Sequence, residues 1–193
     1  MRTLYVARHG KADAFGNLVD HGRDQCRQLA ARLRGIPLDA IWHSPLTRAV
    51  DSAAVIAESF PGAFLDEASE LIDHVPHVPP PDQRTPSMAG FFDGCSANEQ
   101  RDGEQMAERL TKRFAHAPGP GKISTHELLI THAYPVAWLV RDALGAPPAA
   151  WFSLTAIANT GLTIIRYPDD EPPDVFCVND LSHLGTAEIQ PPR

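Results

Sequence analysis

The chain of 193 residues is 43% hydrophobic, enough for one sizeable core, and 17 basic against 24 acidic side chains give a formal net charge of −7. That balance excludes a general affinity for nucleic acid or for an anionic membrane surface, so any anion site must be built from a few placed cations. Cys26, Cys95 and Cys177 lie far apart with no CxxC spacing. Neither a disulfide framework nor a zinc ribbon is expected, and with no leader-like or membrane-length apolar run the composition predicts a reducing, cytoplasmic setting.

Residues 3–7 form an apolar run that predicts a first strand covered on both faces, ending on Arg8-His9-Gly10. A loop to about Val19 follows. The spacing of Cys26, Leu29, Ala30 and Leu33 predicts a helix over 22–33, closed by Gly35 and Pro37. Ala40–His43 is a short second strand. Ser44-Pro45 then predicts an N-cap with proline at the first helical position, opening a helix that carries Leu46, Ala49, Ala53 and Ile56 on one face and stops at Pro61-Gly62. Arg48 consequently falls in a first helical turn, near amides that favour anions.

A weak strand is expected from Ala63 to Leu71. Pro76, Pro79, Pro80, Pro81 and Pro86 exclude regular structure over 75–86, which is read as a rigid excursion over one edge of the domain. A covering helix is expected over 97–116, and Pro118-Gly119-Pro120-Gly121 separates it from a strand, Leu128-Leu129-Ile130-Thr131, that ends on His132. A helix over 134–144, closed by Gly145 and Pro147, and short strands at 162–167 and 175–178 complete the pattern, with no low-complexity segment beyond the closing Pro191-Pro192-Arg193. Alternating strands and helices imply an α/β fold, a three-layer α/β/α sandwich with a mostly parallel central sheet. One domain is expected over residues 1–193, with a proline-rich loop insertion at about 71–98.

Open α/β sheets put their chemistry at the carboxyl ends of strands, where His9 and His132 both fall. A phosphomonoester dianion needs forked donors, which Arg8 and Arg48 can offer as guanidinium groups. Phosphoryl transfer gains chiefly from alignment and charge stabilisation, so an Arg, Arg, His, His pocket suffices if one histidine attacks in line. His9, on a tight turn where Gly10 leaves room for the phosphate, is the better nucleophile. A single histidine after a strand would more often be an ordinary hydrogen-bonded residue; the combination is what points to phosphate.

Three segments, Leu4 to Ala12 around Arg8-His9-Gly10, Ser44-Pro45-Leu46-Thr47-Arg48-Ala49, and Leu129-Ile130-Thr131-His132-Ala133, resemble the signature segments of the histidine phosphatase superfamily, the phosphoglycerate mutase-like proteins. Asn179-Asp180-Leu181-Ser182-His183-Leu184 is similar to a closing segment of that family. The resemblance implies the phosphoglycerate mutase-like sandwich, phosphorylation of His9 during turnover, phosphate held by Arg8, Arg48 and His132, and no metal or other cofactor. It also implies an acid that protonates the leaving alkoxide, usually a glutamate after the third strand in a Leu-x-Glu context. Here Leu71-Ile72-Asp73 stands in that place, which selects Asp73 over Glu70 and puts a shorter, intrinsically stronger acid there.

Within the superfamily, the segment from Ser44 to Gly62, the proline-bearing stretch, and Pro147-Pro148 with Trp151 are similar to the branch of protein Ser/Thr phosphatases. Phosphorylated protein and small phosphoester both remain open as substrate, and oligomeric state is not legible. Lys11 stands where mutases usually carry glutamate, which favours hydrolysis over a phosphoglycerate-type mutase. Asp73, His74 and His77 lack the helical presentation of a zinc motif, so no metal site is expected there. A phosphate-binding module with little turnover is the competing class, kept open by Asp73.

Overall fold

The computed structural model describes residues 1–119, 121 and 123–185; Pro120 of the predicted break and the closing Pro191-Pro192-Arg193 lie outside the described residues. Strands β1 (Arg2–Arg8), β2 (Ala40–His43), β3 (Phe64–Glu67), β4 (Thr125–Thr131), β5 (Leu162–Tyr167) and β6 (Asp174–Asp180) form one six-stranded sheet in the order β3-β2-β4-β1-β5-β6. The pairs β3-β2, β2-β4 and β4-β1 are parallel, whereas β5 and β6 are added antiparallel at one edge. The sheet is mostly parallel, as expected.

Two helical layers cover it because the central strands are apolar on both faces. Tyr5, Ala7, Leu128 and Ile130 face α1 (Asp20–Arg32) and α2 (Thr47–Ala57) through Cys26, Leu29, Ala53 and Ile56. Leu4, Val6 and Leu129, one residue out of step, face α4 (Ala97–Phe114) and α5 (Ala133–Ala143) through Leu110, Phe114, Val136 and Leu139. The alternation of side chains along each strand thus serves two separate cores.

Three local expectations need correction. Helix α2 starts at Thr47 with Leu46 in the cap position and no side-chain cap, so Ser44-Pro45 is not its N-cap; the Ser44 hydroxyl is engaged elsewhere, as described below. Within 63–71 only Phe64–Glu67 is strand, and a 3₁₀ turn at Ser69–Leu71 follows. The insertion is not wholly irregular: it contains a 3₁₀ turn, Pro81–Gln83, and a short helix, α3 (Pro86–Phe92), whose Thr85 hydroxyl accepts from the Met88 amide at 3.3 Å. Pro86 thus begins a helix, at the end where its missing N–H costs nothing. A 3₁₀ segment, Pro148–Leu154, was also unforeseen and buries Trp151 completely.

The insertion lies against α4 because Gly103 has no side chain; a Cβ there would collide with the Val75 carbonyl oxygen. Helix α4 itself opens on a capping box, with Ser96 and Glu99 bonding each other's backbone amides.

Candidate active site

The register brings three adjacent parallel strands to an end at one level. Arg8 of β1 pairs with Thr131 of β4, and His43 of β2 pairs with Ile130, so the residues just beyond, His9, His132 and Ser44, emerge side by side. Backbone bonds extend the ladders past the strands: the His9 amide donates to the Thr131 carbonyl at 2.9 Å and the Ser44 amide to the Ile130 carbonyl at 3.0 Å. His9, Ser44 and His132 are only 6%, 0% and 1% exposed. Arg48 reaches the same point from the first turn of α2.

Hydrogen bonds define the state of each imidazole. His9 Nδ1 lies 2.7 Å from its neighbour's carbonyl oxygen on Gly10, to which only an N–H can bond, so Nε2 carries the lone pair and accepts from Arg48 Nε at 3.0 Å. His132 is turned the other way: its Nδ1 accepts from Arg48 Nη2 at 3.2 Å, and its Nε2–H donates to Ser44 Oγ at 2.8 Å. Burial, and then the nearby Arg8 and Arg48, push His9 down to about 4 despite the Gly10 bond. Burial, with His9, Arg48 and Arg8 beside it, pushes His132 down to about 2. Both rings, 5.1 Å apart between centroids, are neutral near pH 7.

Arg8, His9, Arg48, Asp73 and His132 line one cavity of about 450 Å³. Asp73 enters it from the chain after the Ser69–Leu71 turn, its Oδ2 3.5 Å from Arg48 Nη2 and 4.0 Å from His132 Nδ1. Thr131 Oγ1 anchors that turn by donating to the Leu71 carbonyl at 2.6 Å. Burial raises the Asp73 carboxyl, and Arg48 and Arg8 partly offset the rise. Glu70 points away, into an ion pair with Arg113 at 2.7 Å. His74 directs Nδ1–H to the Ile72 carbonyl at 2.7 Å and His77 faces Glu104 at 3.8 Å, so these two do not converge with Asp73.

Gly10 departs from expectation. It does not line the cavity, and its lack of a side chain serves contact with α1, where a Cβ would strike the Gly22 carbonyl oxygen. Its amide donates to Ser52 Oγ at 3.0 Å, and Ser52 in turn donates to the Arg48 carbonyl at 2.6 Å, tying the turn after β1 to α2.

Several site residues escaped sequence reasoning. Ser44 orients His132. Asn159 lines the cavity and donates to the His9 carbonyl at 2.8 Å, and Tyr134, just past His132, lines it as well. Arg8 is held by the Ile157 carbonyl at 2.8 Å. The loop carrying Ile157 and Asn159 is fixed by Asn179, whose Oδ1 accepts from the Ala158 amide at 2.9 Å and whose Nδ2 donates to the Ala156 carbonyl at 3.1 Å. Asn179 adopts a left-handed φ of 54°, a conformation that asparagine tolerates better than most residues. Its place in the closing segment was the available signal.

Residues 4–73 match the profile of the Histidine phosphatase superfamily (branch 1). The serine/threonine-protein phosphatase Pgam5, mitochondrial, of Caenorhabditis briggsae is 26% identical over 196 aligned residues, which take in 97% of this chain but 66% of that protein. The chain therefore spans slightly less than two thirds of that relative's length. Among solved structures, the alpha-ribazole phosphatase of Shigella flexneri superposes with a TM-score of 0.71 at 16% identity, covering 92% of this chain and 96% of the other. The phosphoglycerate mutase of Plasmodium falciparum gives 0.65 at 19%, covering 98% and 97%. These structures establish the phosphoglycerate mutase-like fold.

Proposed function

We propose, from the premise that the chain resembles the histidine phosphatase superfamily in sequence over residues 4–73 and in fold over nearly all its length, that it is a metal-independent phosphatase acting through a phosphohistidine on His9. One observation carries the reading: a neutral imidazole lone pair, two guanidinium groups and a raised carboxyl meet on one cavity. The two guanidiniums supply the charge stabilisation on the phosphoryl oxygens.

In this reading a phosphomonoester takes over the donors that Arg48 presents to His9 and His132. His9 Nε2 attacks phosphorus, the bond to the alcohol oxygen breaks, and that oxygen takes the proton of Asp73. Water then loses a proton to the Asp73 carboxylate and attacks phosphorus; the phosphorus–nitrogen bond breaks, inorganic phosphate departs and His9 regains its lone pair. A bound dianion satisfies Arg48 and Arg8 and adds its own negative charge, which favours the protonated form of Asp73 in the first step. Acid and base help of this kind contributes roughly a hundredfold to ten-thousandfold.

The phosphatase name of the Caenorhabditis relative and Lys11 in place of the mutase glutamate support hydrolysis over transfer to a second hydroxyl; fold alone does not choose between them. The substrate is a phosphorylated small molecule or a phosphoprotein. A cytoplasmic setting belongs to the same proposal, and cell fractionation tests it against the mitochondrial location in the relative's name. Among the described residues no helix is long and apolar enough to cross a membrane.

The direct experiment is rapid acid-free quenching during turnover of a radiolabelled phosphoester. Acid-labile, base-stable label on His9, with activity unaffected by chelator, is expected. Phosphate binding without hydrolysis of either aryl or alkyl esters would return the site to a binding module.

A further inference from the structure

A second cavity, of about 620 Å³, opens beside the first and shares Asp73 and Tyr134 with it. The proposed proton donor therefore stands between two spaces. The first is lined by the cationic cradle; the second lies on the side of the insertion and α4, where the alcohol portion of an ester would extend once its phosphoryl group sits against His9. Its size is that of a ligand pocket and exceeds what a serine-sized leaving group fills.

The lining has a definite chemistry. Ile72, Val75, Phe91 and Met106 give it apolar walls, while Glu99 and Asp102, three apart on α4, contribute carboxylates. No lysine or arginine lines it among the described residues. Glu99 stays ionised, since bonds from the Ser96 hydroxyl and amide hold its carboxyl low; both bonds, at 2.7 and 2.8 Å, fall on Oε2. His74 lines the same cavity, and its Nε2 is buried without a hydrogen-bond partner. With Nδ1–H committed to the Ile72 carbonyl, Nε2 is an acceptor. Two carboxylates at the rim of apolar walls are complementary to a cation on an apolar stem.

Resting on the phosphatase reading, we infer that the second cavity receives the leaving group of the substrate and selects one with an apolar stem that ends in a positive charge. A lysine or arginine side chain close to a phosphorylated residue has that chemistry, and so does an amine-bearing small phosphoester.

The test separates binding from turnover. Calorimetry on the intact protein compares hexyl, aminohexyl and carboxyhexyl phosphonates, which bind but are not hydrolysed. Aminohexyl phosphonate is expected to bind about five- to tenfold tighter than the hexyl compound, and the carboxylate weaker than both, as suits partly exposed charge pairs. The Glu99→Gln/Asp102→Asn double variant, in which glutamine can keep the helix cap, loses the preference while hydrolysing p-nitrophenyl phosphate as before. Normal p-nitrophenyl phosphate turnover with equal Kd across the series overturns the cavity assignment alone. Charge preference without any turnover overturns the hydrolase reading and leaves the ligand class standing. Matched phosphothreonine peptides with lysine or glutamate beside the phosphorylated residue then identify the source: a lysine preference in kcat/KM assigns a peptide, and a preference confined to amine-bearing esters assigns a small molecule.

Discussion

The phosphate cradle and the insertion touch each other at Asp73 yet are held in place by different physics. His9, Ser44 and His132 extend hydrogen-bonded strand ends and are almost wholly buried, so their positions follow from the register of a sheet. The insertion is held instead by side-chain packing: Val78 and Phe92 enter the core beneath it, Phe91 and Phe92 meet the rings of Tyr134, Trp151 and Phe152, the missing side chain of Gly103 admits the Val75 carbonyl, and Trp151 Nε1 donates to the His77 carbonyl at 2.9 Å. Phe91 of α3 remains 42% exposed. A site whose chemistry is fixed by sheet register and whose substrate contacts are fixed by the side-chain packing of a connecting segment can change substrate without disturbing the nucleophile.

The comparison is tested hardest at its rigid end. His9→Ala should abolish hydrolysis of aryl and alkyl phosphates alike, by on the order of ten-thousandfold or more in kcat, because the proposed reaction gives the attack on phosphorus to His9 Nε2 and leaves His132 to hold the phosphate. Circular dichroism should show the fold unchanged. A residual rate within tenfold of wild type would remove His9 from the chemistry altogether.

Asp73 is where the two regions meet, and its variant should divide substrates. Asp73→Asn keeps shape but cannot give or take the proton. Alkyl phosphate hydrolysis should fall about a hundredfold, whereas p-nitrophenyl phosphate, with a leaving group that scarcely needs protonation, should change by only a few-fold. Equal losses on both would place Asp73 with the phosphate-holding groups, not with the acid.

Legibility in the sequence follows the same division. Strand ends were readable because apolar runs stop abruptly at Arg8-His9-Gly10 and at His132, and a doubly wound sheet brings such ends together. A Ser-Pro pair signals a helix start locally, whereas the Ser44 hydroxyl is taken by His132, a partner far along the chain. The missing side chain of Gly10 accommodates Gly22 on α1, a contact which no local pattern reveals. Helix α3 was hidden by prolines that exclude a helix interior but suit a first turn. Asn159 is an ordinary turn residue by composition, and only the folded contacts give it a role.

A milder test exploits the two neutral histidines. His9 lies at about 4 and His132 at about 2, both below the ordinary 6.5, so the unfolded chain binds protons more readily than the folded one. Their contribution to stability is complete above 6.5 and is lost as pH falls toward 4 and then 2. Sulfate, which does not titrate in this range, should favour the protonated rings once seated against Arg8 and Arg48. Thermal melts with and without sulfate should therefore show a larger rise in Tm at pH 5 than at pH 7.5, by a few degrees. An equal rise at both would mean that the anion sits away from the histidines.

The smallest effect is expected at the attachment of the insertion. Trp151 is fully buried, stacks edge-on with Tyr134 at 5.2 Å between centroids, and holds the His77 carbonyl with its indole N–H. Trp151→Phe preserves an aromatic ring but leaves that carbonyl without its donor, at a cost of about 1–3 kcal/mol. If the insertion governs only what enters the second cavity, KM for bulky alkyl phosphates should rise a few-fold while kcat for p-nitrophenyl phosphate holds. The indole meets the rings of Phe92, Tyr134 and Phe152, of which Tyr134 lines the cavity of His9, so a matching fall in p-nitrophenyl phosphate turnover would come through Tyr134. That result would erase the boundary between the two regions and make the insertion part of the chemical cradle.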